Sequence, residues 1–497
     1  MARIAVIGSG FSGLSAAAYL SKEGHEVHVF EKNAAPGGRA RQFRTEEGFV
    51  FDMGPSWYWM PGVFEKFFQD FGHRSSDFYN LKLLNPSFEI TFGSESIKIP
   101  YDFQSLCELF ECIEKGGGHQ LKKFMAEAEL KYRIGMENMV YKPSLSIREF
   151  MQPGIIRNSI RSDVFLSFSK HVRKYFRDVR LIALMEFPVL FLGARPGNIP
   201  ALYSLMNYAG LKLGTWYPEG GFGKVIEAMM HVGQSNGALF HFNQNVERIV
   251  TKDSSVIGVI ANGKTLPFDG VVASADYHHV EKMLLNDVER NYNEKYWETR
   301  TLAPSSLIFY LGVNKKIDRL EHHTLFFDES LDRHSDEIYT HPQWPTRPLF
   351  YCCCPSKSDD RVAPQGHENI FLLMPIAPDL EDNDFMREKY YSIMMKRLEE
   401  FAGESISERV VYKRSYCINE FIADYNSYKG NAYGLANTLS QTAVLKPRMN
   451  NRKLKNLFYA GQLTVPGPGV PPSIISGKLA AGLMNDYLLK VRDEVAV

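Results

Sequence analysis

Three glycines and one glutamate near the start of this 497-residue chain have a spacing that dictates chemistry. Gly8, Gly10 and Gly13 form a G-x-G-x-x-G turn. The first glycine permits the tight turn, and the second lets backbone approach a pyrophosphate. The third lets the following helix pack close to the preceding strand. A helix that begins there aims free N–H groups and a partial positive charge at phosphate. Glu31 follows at roughly the 20-residue spacing at which a carboxylate accepts hydrogen bonds from ribose hydroxyls. The chemistry these residues predict is dinucleotide binding.

The elements that must position them are legible around them. Arg3 to Ile7 is a short apolar run and predicts a buried parallel strand. Ser12 to Glu23 is rich in alanine and leucine and predicts a helix stopped at Gly24. Val27 to Phe30 predicts the second strand, ending at Glu31. Six residues on, Gly37-Gly38-Arg39 lets the chain run back along a cofactor, with Arg39 able to contact phosphate. The other end of the chain carries a second signal, NLFYAGQLTVPGPGVPPSIISGKLAAGLMNDYL over 456–488. Leu457 to Ala460 predicts a strand. The loop from Gly461 to Pro472 is dense in Gly and Pro, which lets it approach a ligand closely. Ser473 then starts a helix of small residues.

Between these ends the texture changes several times. Trp57-Tyr58-Trp59-Met60-Pro61 leads into a helix over Val63 to Phe71; its aromatics serve either a substrate channel or packing. FEITFG and SIKIP bracket Gly93-Ser94 as a hairpin. Residues 101 to 234 read as mostly helical. Within them, residues 162 to 196 interleave Phe165, Phe168, Tyr175 and Phe176 with Lys170, Arg173, Lys174, Arg177 and Arg180, ahead of an apolar run from Leu181 to Leu192. This pattern fits a helix lying in a membrane interface, or one with a solvated basic face packed on the core. Residues 237 to 280 alternate strands and hairpins and end on the apolar Gly270 to Ala275. SLIFYLGV, HTLFFD and NIFLLMPIA suggest a separate sheet. The expected fold class is α/β: a discontinuous Rossmann-type domain (1–80, 235–285, 445–497), a mixed-sheet substrate domain (81–100, 286–444) and a helical, membrane-facing subdomain (101–234).

Composition bounds the function. Lys plus Arg and Asp plus Glu both number 57, so there is no global basic field for nucleic acid. Aromatics make up 13% of the residues, which suits a large apolar cavity or an aromatic core. None of the six cysteines has a C-x-x-C metal spacing, and His278-His279 has no further ligands spaced to join it. No metal site and a reducing compartment are expected. There is no secretory signal and no apolar run of spanning length, so a cytoplasmic location is expected.

The extended N-terminal pattern, with GFVFDMGPSWY at 48–58, resembles the two-dinucleotide-binding-domain flavoproteins, which bind FAD. Together with WYWMP, FPVLFLGARP and YAGQLTVPGPGVPPSIISG, it resembles the bacterial-type phytoene desaturases, a carotenoid desaturase family, over essentially the whole chain. That family's loop often begins Gly-Ala-Gly-Thr-His-Pro-Gly. Here Gly461-Gln462-Leu463-Thr464-Val465-Pro466-Gly467 lacks the histidine, so no role for one carries over.

The resemblance implies FAD held by Gly8, Ser9, Gly10, Ser12, Gly13, Glu31, Lys32, Gly38, Arg39, Gly54, Pro55, Ser56, Val246 (through its backbone), Gly461, Gln462, Val470, Ser473 and Ile474. It implies hydride transfer from a long polyene, most simply phytoene, to flavin N5, with a proton lost from the neighbouring carbon. The helix at Ser473 would stabilise charge on the reduced flavin. Oxygen or a membrane quinone would take the electrons, and a lipid-dissolved substrate implies peripheral association with a membrane surface. No catalytic acid or base is assignable, and Asp52, Glu186 and Asp424 read as structural. The alternatives are a desaturase of hydroxylated carotenoid end groups, a polyene isomerase or saturase, an amine oxidase, and a non-enzymatic prenyl-binding protein. The C-terminal loop has no cysteine of the kind that often binds flavin covalently in amine oxidases.

Overall fold

The computed structural model describes residues 1–150, 166–438 and 440–495. The opening segment forms strand Arg3–Ile7, helix Phe11–Lys22 and strand Glu26–Phe30. Five parallel strands build one sheet in the order Leu457–Tyr459, Gly270–Ala273, Arg3–Ile7, Glu26–Phe30, Leu239–His241. Both faces are covered, as an all-parallel sheet requires. On one face Ile4 and Val6 meet Ala16, Leu20 and Ala480 from two helices. On the other, Ala5 and Ile7 meet Ile249 and Val259 from an antiparallel ribbon, Val246–Lys252, Ser255–Ala261 and Lys264–Pro267.

Close helix packing explains the small residues. A Cβ on Gly13 would lie 1.9 Å from the Gly8 carbonyl oxygen, so only glycine lets the first helix leave the turn so tightly. The C-terminal helix runs Val470–Val495, three residues longer at its start than the pattern predicts. Pro471 and Pro472 fit there because first-turn N–H groups have no helical partner to lose.

A second sheet has seven strands, in the order Val410–Tyr416, Ser305–Val313, Glu368–Ile376, Phe350–Cys353, His323–Phe326, Phe88–Phe92, Glu95–Ile99. Pairing is antiparallel except between His323–Phe326 and Phe88–Phe92. All nine residues of Ser305–Val313 are buried. Leu307, Phe309 and Leu311 pack with Met394 and Leu398 of helix Asp384–Ala402. Ile308 and Tyr310 face the other way, into a cluster shared with Phe49 and Phe51.

The helical region contains Phe103–Ile113, Gly117–Ile134, Phe168–Val172 and Val179–Glu186. The basic aromatic segment is two short helices, because the Asp178 carboxylate caps a new start by accepting from Arg180 N at 2.8 Å. Phe168 and Phe176 are buried, and Phe176 packs 5.4 Å from Phe110 and 6.2 Å from Phe124. Lys170, Arg173, Lys174 and Arg177 are exposed. The aromatic face is therefore core and the basic face is solvated; residues 162–165 lie outside the described residues. Tyr58 and Trp59 are also packing, with Tyr58 stacked on Phe64 at 4.1 Å and Trp59 Nε1 donating to Thr215. Among the described residues, no helix is long and apolar enough to cross a membrane.

Candidate functional site

A cleft opens along the carboxyl ends of the parallel strands. This is where open α/β sheets bind ligands. Its walls include Gly8, Gly10, Ser12, Glu31, Lys32, Gly38, Arg39, Gly54, Pro55, Val246, Gly461, Gln462, Val470 and Ser473. The segments at the two ends of the chain thus meet on one surface, because Leu457–Tyr459 and Arg3–Ile7 both flank Gly270–Ala273.

Four expected residues do not line it. Ser9 is buried under the turn, where its N–H and hydroxyl donate to Glu31 Oε2 at 3.0 and 2.8 Å. Gly13 supplies close packing. Ile474 is core, and its carbonyl accepts from Ser15 Oγ at 2.7 Å. Ser56 faces a second cavity and shares a hydrogen bond with the Tyr351 hydroxyl at 2.9 Å.

The polar groups of the cleft are ordered by the fold. Asn33 donates to Glu31 Oε1 through its backbone N–H at 2.9 Å and its side chain at 2.8 Å. Lys32 donates to the Ala423 carbonyl at 2.6 Å and to Asn426 Oδ1 at 3.1 Å, tying the cleft to helix Ile418–Tyr425. Arg39 donates through Nη2 to Ser427 Oγ at 3.0 Å and lies 5.1 Å from the Tyr425 ring centre. Burial lowers the Arg39 pKa, and Asp276 opposes that shift. Burial raises the Asp276 carboxyl, against the stabilising Arg39 charge.

Sequence reasoning missed Asp276, His279, Tyr425, Asn426 and Tyr433, all of which line the cleft. Asp276 had a usable signal: it follows an apolar strand at the end where such sheets bind ligands. The others arrive by long-range packing. Of the three carboxylates read as structural, Asp52 accepts from Phe222 N at 2.7 Å and Gly223 N at 3.2 Å, holding a helix start. Burial pushes its carboxyl up to about 6. Glu186 pairs with Arg173. Asp424 accepts from Arg41 Nη2 at 2.5 Å and from the Tyr416 hydroxyl at 2.9 Å, and it lines the cleft.

The second cavity shares Gly54, Leu373 and Tyr433 with the wall of the cleft. Its wall is mostly apolar, including Leu325, Phe327, Leu331, Ile338 and Phe350. The histidine in this wall, His334, has both ring nitrogens engaged by backbone: Leu349 N donates to Nδ1 at 3.0 Å, and Nε2 bonds the Pro375 carbonyl at 2.8 Å. Burial pulls it down to about 4, so it is neutral at pH 7.

The residues present fit FAD. Gly10 starts the first helix with no side-chain cap, leaving its N–H groups available to phosphate. A Cβ on Gly10 would meet nothing within 4 Å, so open space lies over the backbone there. Arg39 Nε is a buried donor with no partner of its own.

Known proteins agree with this geometry. The family model described as flavin containing amine oxidoreductase matches residues 11–485. A carotenoid 3,4-desaturase of Haloarcula japonica is 38% identical over 486 residues, 97% of this chain and 98% of that one. A zeta-carotene-forming phytoene desaturase of Myxococcus xanthus is 29% identical, over 96% of this chain and 92% of that one. Among solved structures, an oxidoreductase from Methanosarcina mazei superposes with a TM-score of 0.62 at 18% identity, over 96% of this chain and 99% of that one, which speaks to the fold. An FAD-dependent oxidoreductase by cofactor and chemistry, the chain belongs to the flavin containing amine oxidoreductases and, within them, to the carotenoid desaturase family.

Proposed function

We propose that this chain introduces C=C bonds into a carotenoid held in the apolar cavity, with its reacting carbons at the junction with the cofactor cleft. The observation that carries this reading is the junction itself. A mostly apolar cavity shares Gly54, Leu373 and Tyr433 with the cleft wall, and an apolar wall beside the cofactor suits a long hydrocarbon. FAD, when bound, supplies the acceptor for a hydride. Gly8, Gly10, Ser12 and Gly38 hold its phosphates, Glu31 its ribose, and Val246 lies against the adenine. Val470 and Ser473 begin the helix whose positive end faces developing negative charge.

Leu325, Leu331 and Phe350 align the polyene and exclude water. The remaining proton leaves the adjacent carbon. The neutral, doubly engaged His334 is not the group that takes it, and burial pushes the Tyr433 hydroxyl up to about 12. Among the described residues the cavity wall contains no carboxylate, and no base is assigned. Electrons leave to oxygen or a membrane quinone. The exposed Lys170, Lys174 and Arg177 make the membrane contact with anionic headgroups, since the aromatic face beneath them is buried.

Phytoene is the substrate expected from the resemblance. A second reading, desaturation at a carotenoid end group, is favoured by the higher identity to the 3,4-desaturase. Product analysis separates them: holoprotein in liposomes with an electron acceptor is given phytoene or a hydroxylated carotenoid in parallel. Longer-conjugated products from phytoene support the first reading, and turnover of only the hydroxylated substrate supports the second. Turnover of neither, with flavin bound, would sink both and favour a polyene isomerase or saturase.

A further inference from the structure

Beside the junction of the two cavities lies a group of side chains that the desaturation chemistry does not use. His323 opens the strand that pairs with Phe350–Cys353, with His322 immediately before it, and the register sets His323 directly opposite Cys353. One ring nitrogen from each histidine and Cys353 Sγ all lie within 4.8 Å of one another. All three residues are buried, at 4%, 0% and 1% exposure.

Each imidazole already has its Nδ1 oriented. His323 Nδ1 shares a hydrogen bond of 2.5 Å with the Tyr351 hydroxyl, and His322 Nδ1 shares one of 2.9 Å with Ser358 Oγ. Both Nε2 atoms are buried with no hydrogen-bond partner. A buried polar atom without a partner is costly, and these two belong to the residues whose ring nitrogens cluster with the thiol. A proton on Nδ1, held by a hydroxyl, leaves the Nε2 lone pair free. That outer hydrogen bond is the arrangement that orients metal-ligating histidines.

We propose that His322, His323 and Cys353 hold a zinc ion. Two imidazoles and one thiolate suit a borderline-soft divalent cation better than calcium or magnesium, which take oxygen. Tetrahedral zinc holds N and S donors roughly 3.3–3.6 Å apart, so these donors close by about an ångström on binding. Binding therefore requires rotation of the Cys353 side chain and small tilts of the rings. The Cys353 thiol gives up its proton to solvent on binding, and the cation stabilises the thiolate. The small cavity bounded by His322 and Cys353 is also bounded by Asp52, whose negative charge offsets the net positive charge of a zinc–thiolate pair. Gly54 and Ser56 border the same cavity, and Trp57 stacks on His323 with ring centres 4.1 Å apart and planes 10° apart. The ion therefore fastens the Gly54–Trp57 segment, where cleft and apolar cavity meet, to the second sheet.

The test is metal analysis of tag-free holoprotein after equilibration with zinc and gel filtration, scored per chain and per flavin. About one zinc per chain is expected for the wild type. Cys353→Ser is expected to lower retained zinc by roughly tenfold or more while the flavin spectrum persists. Zinc below about a tenth of an equivalent in the wild type, or unchanged zinc in Cys353→Ser, overturns the site. Should Cys353→Ser fail to fold, X-ray absorption at the zinc edge on the wild type decides. A sulfur at about 2.3 Å with nitrogens at about 2.0–2.1 Å supports the assignment, and a shell of nitrogen and oxygen alone overturns it.

Discussion

A single buried lysine beneath the C-terminal loop makes stability depend on pH. Lys446 is 3% exposed, and its Nζ has no hydrogen-bond partner. It lies beneath the Gly- and Pro-rich loop, where a Cβ on Gly467 would sit 3.4 Å from its Cε. Burial alone pulls Lys446 down to about 7, from about 10.4 for a solvated lysine. The sign follows from linkage. Below about pH 7 both folded and unfolded chains carry the charge, and the folded state bears the full cost of burying it. As pH rises from about 7 to about 10.4, the unfolded chain still holds the proton that the folded chain has lost, so stability rises across that window. Lys446→Met removes the charge and keeps an unbranched apolar chain. At pH 7 the variant is expected to be more stable by on the order of 4 kcal/mol at most, with the advantage shrinking towards pH 10. Thermal melts of the two proteins at pH 7, 8.5 and 10 measure the difference. An advantage that does not shrink with pH, or a variant less stable at pH 7, refutes this account of Lys446.

The helices that carry the phosphate turn and the C-terminal loop cross so closely that one atom decides their fit. A Cβ on Gly477 would lie 2.2 Å from the Ser12 carbonyl oxygen, which is rigid helix backbone. Gly477→Ala must therefore push the helices apart, at a cost of roughly 1–3 kcal/mol, and shift Ser12 within the cleft. A lowered melting temperature together with weaker FAD retention is the expected outcome; a wild-type melt and wild-type flavin content would show that the crossing tolerates the methyl. The glycine was visible in the sequence as part of a small-residue helix, but its partner was not. That contrast holds across the chain. The turn at Gly8–Gly13, the strands flanking it and the Phe88–Ile99 hairpin were legible because local spacing and turn chemistry define them. The basic aromatic segment was not, because the same pattern serves a helix on lipid and a helix on Phe110 and Phe124. Tyr425 and Tyr433 in the cleft, and Cys353 opposite His323, depend on strand register and packing between distant segments, which no local periodicity records.

At the scale of the whole molecule, two sheets with different tasks share one seam. The parallel sheet ends in polar and backbone groups suited to a dinucleotide, and the seven-stranded sheet supports the apolar cavity. Leu373, in the strand Glu368–Ile376, belongs to both walls, so the position of one strand sets where a substrate could meet the cofactor. If the cavity holds the polyene, filling it should separate binding of cofactor from reaction with substrate. Leu331 is the position for this. It is partly exposed on helix Leu331–Tyr339 and lines the apolar cavity but not the cleft. Leu331→Trp places an indole in the cavity without touching the phosphate turn or the C-terminal loop. The variant is expected to keep wild-type FAD content and absorption, while anaerobic bleaching of the flavin by carotenoid slows by about tenfold or more, a barrier change near 1.4 kcal/mol. Loss of FAD from the variant would mean that the cavity and the cleft are one structural unit. Wild-type bleaching with the cavity filled would mean that the polyene reaches the cofactor by another route, and the apolar cavity would lose its place in the reaction.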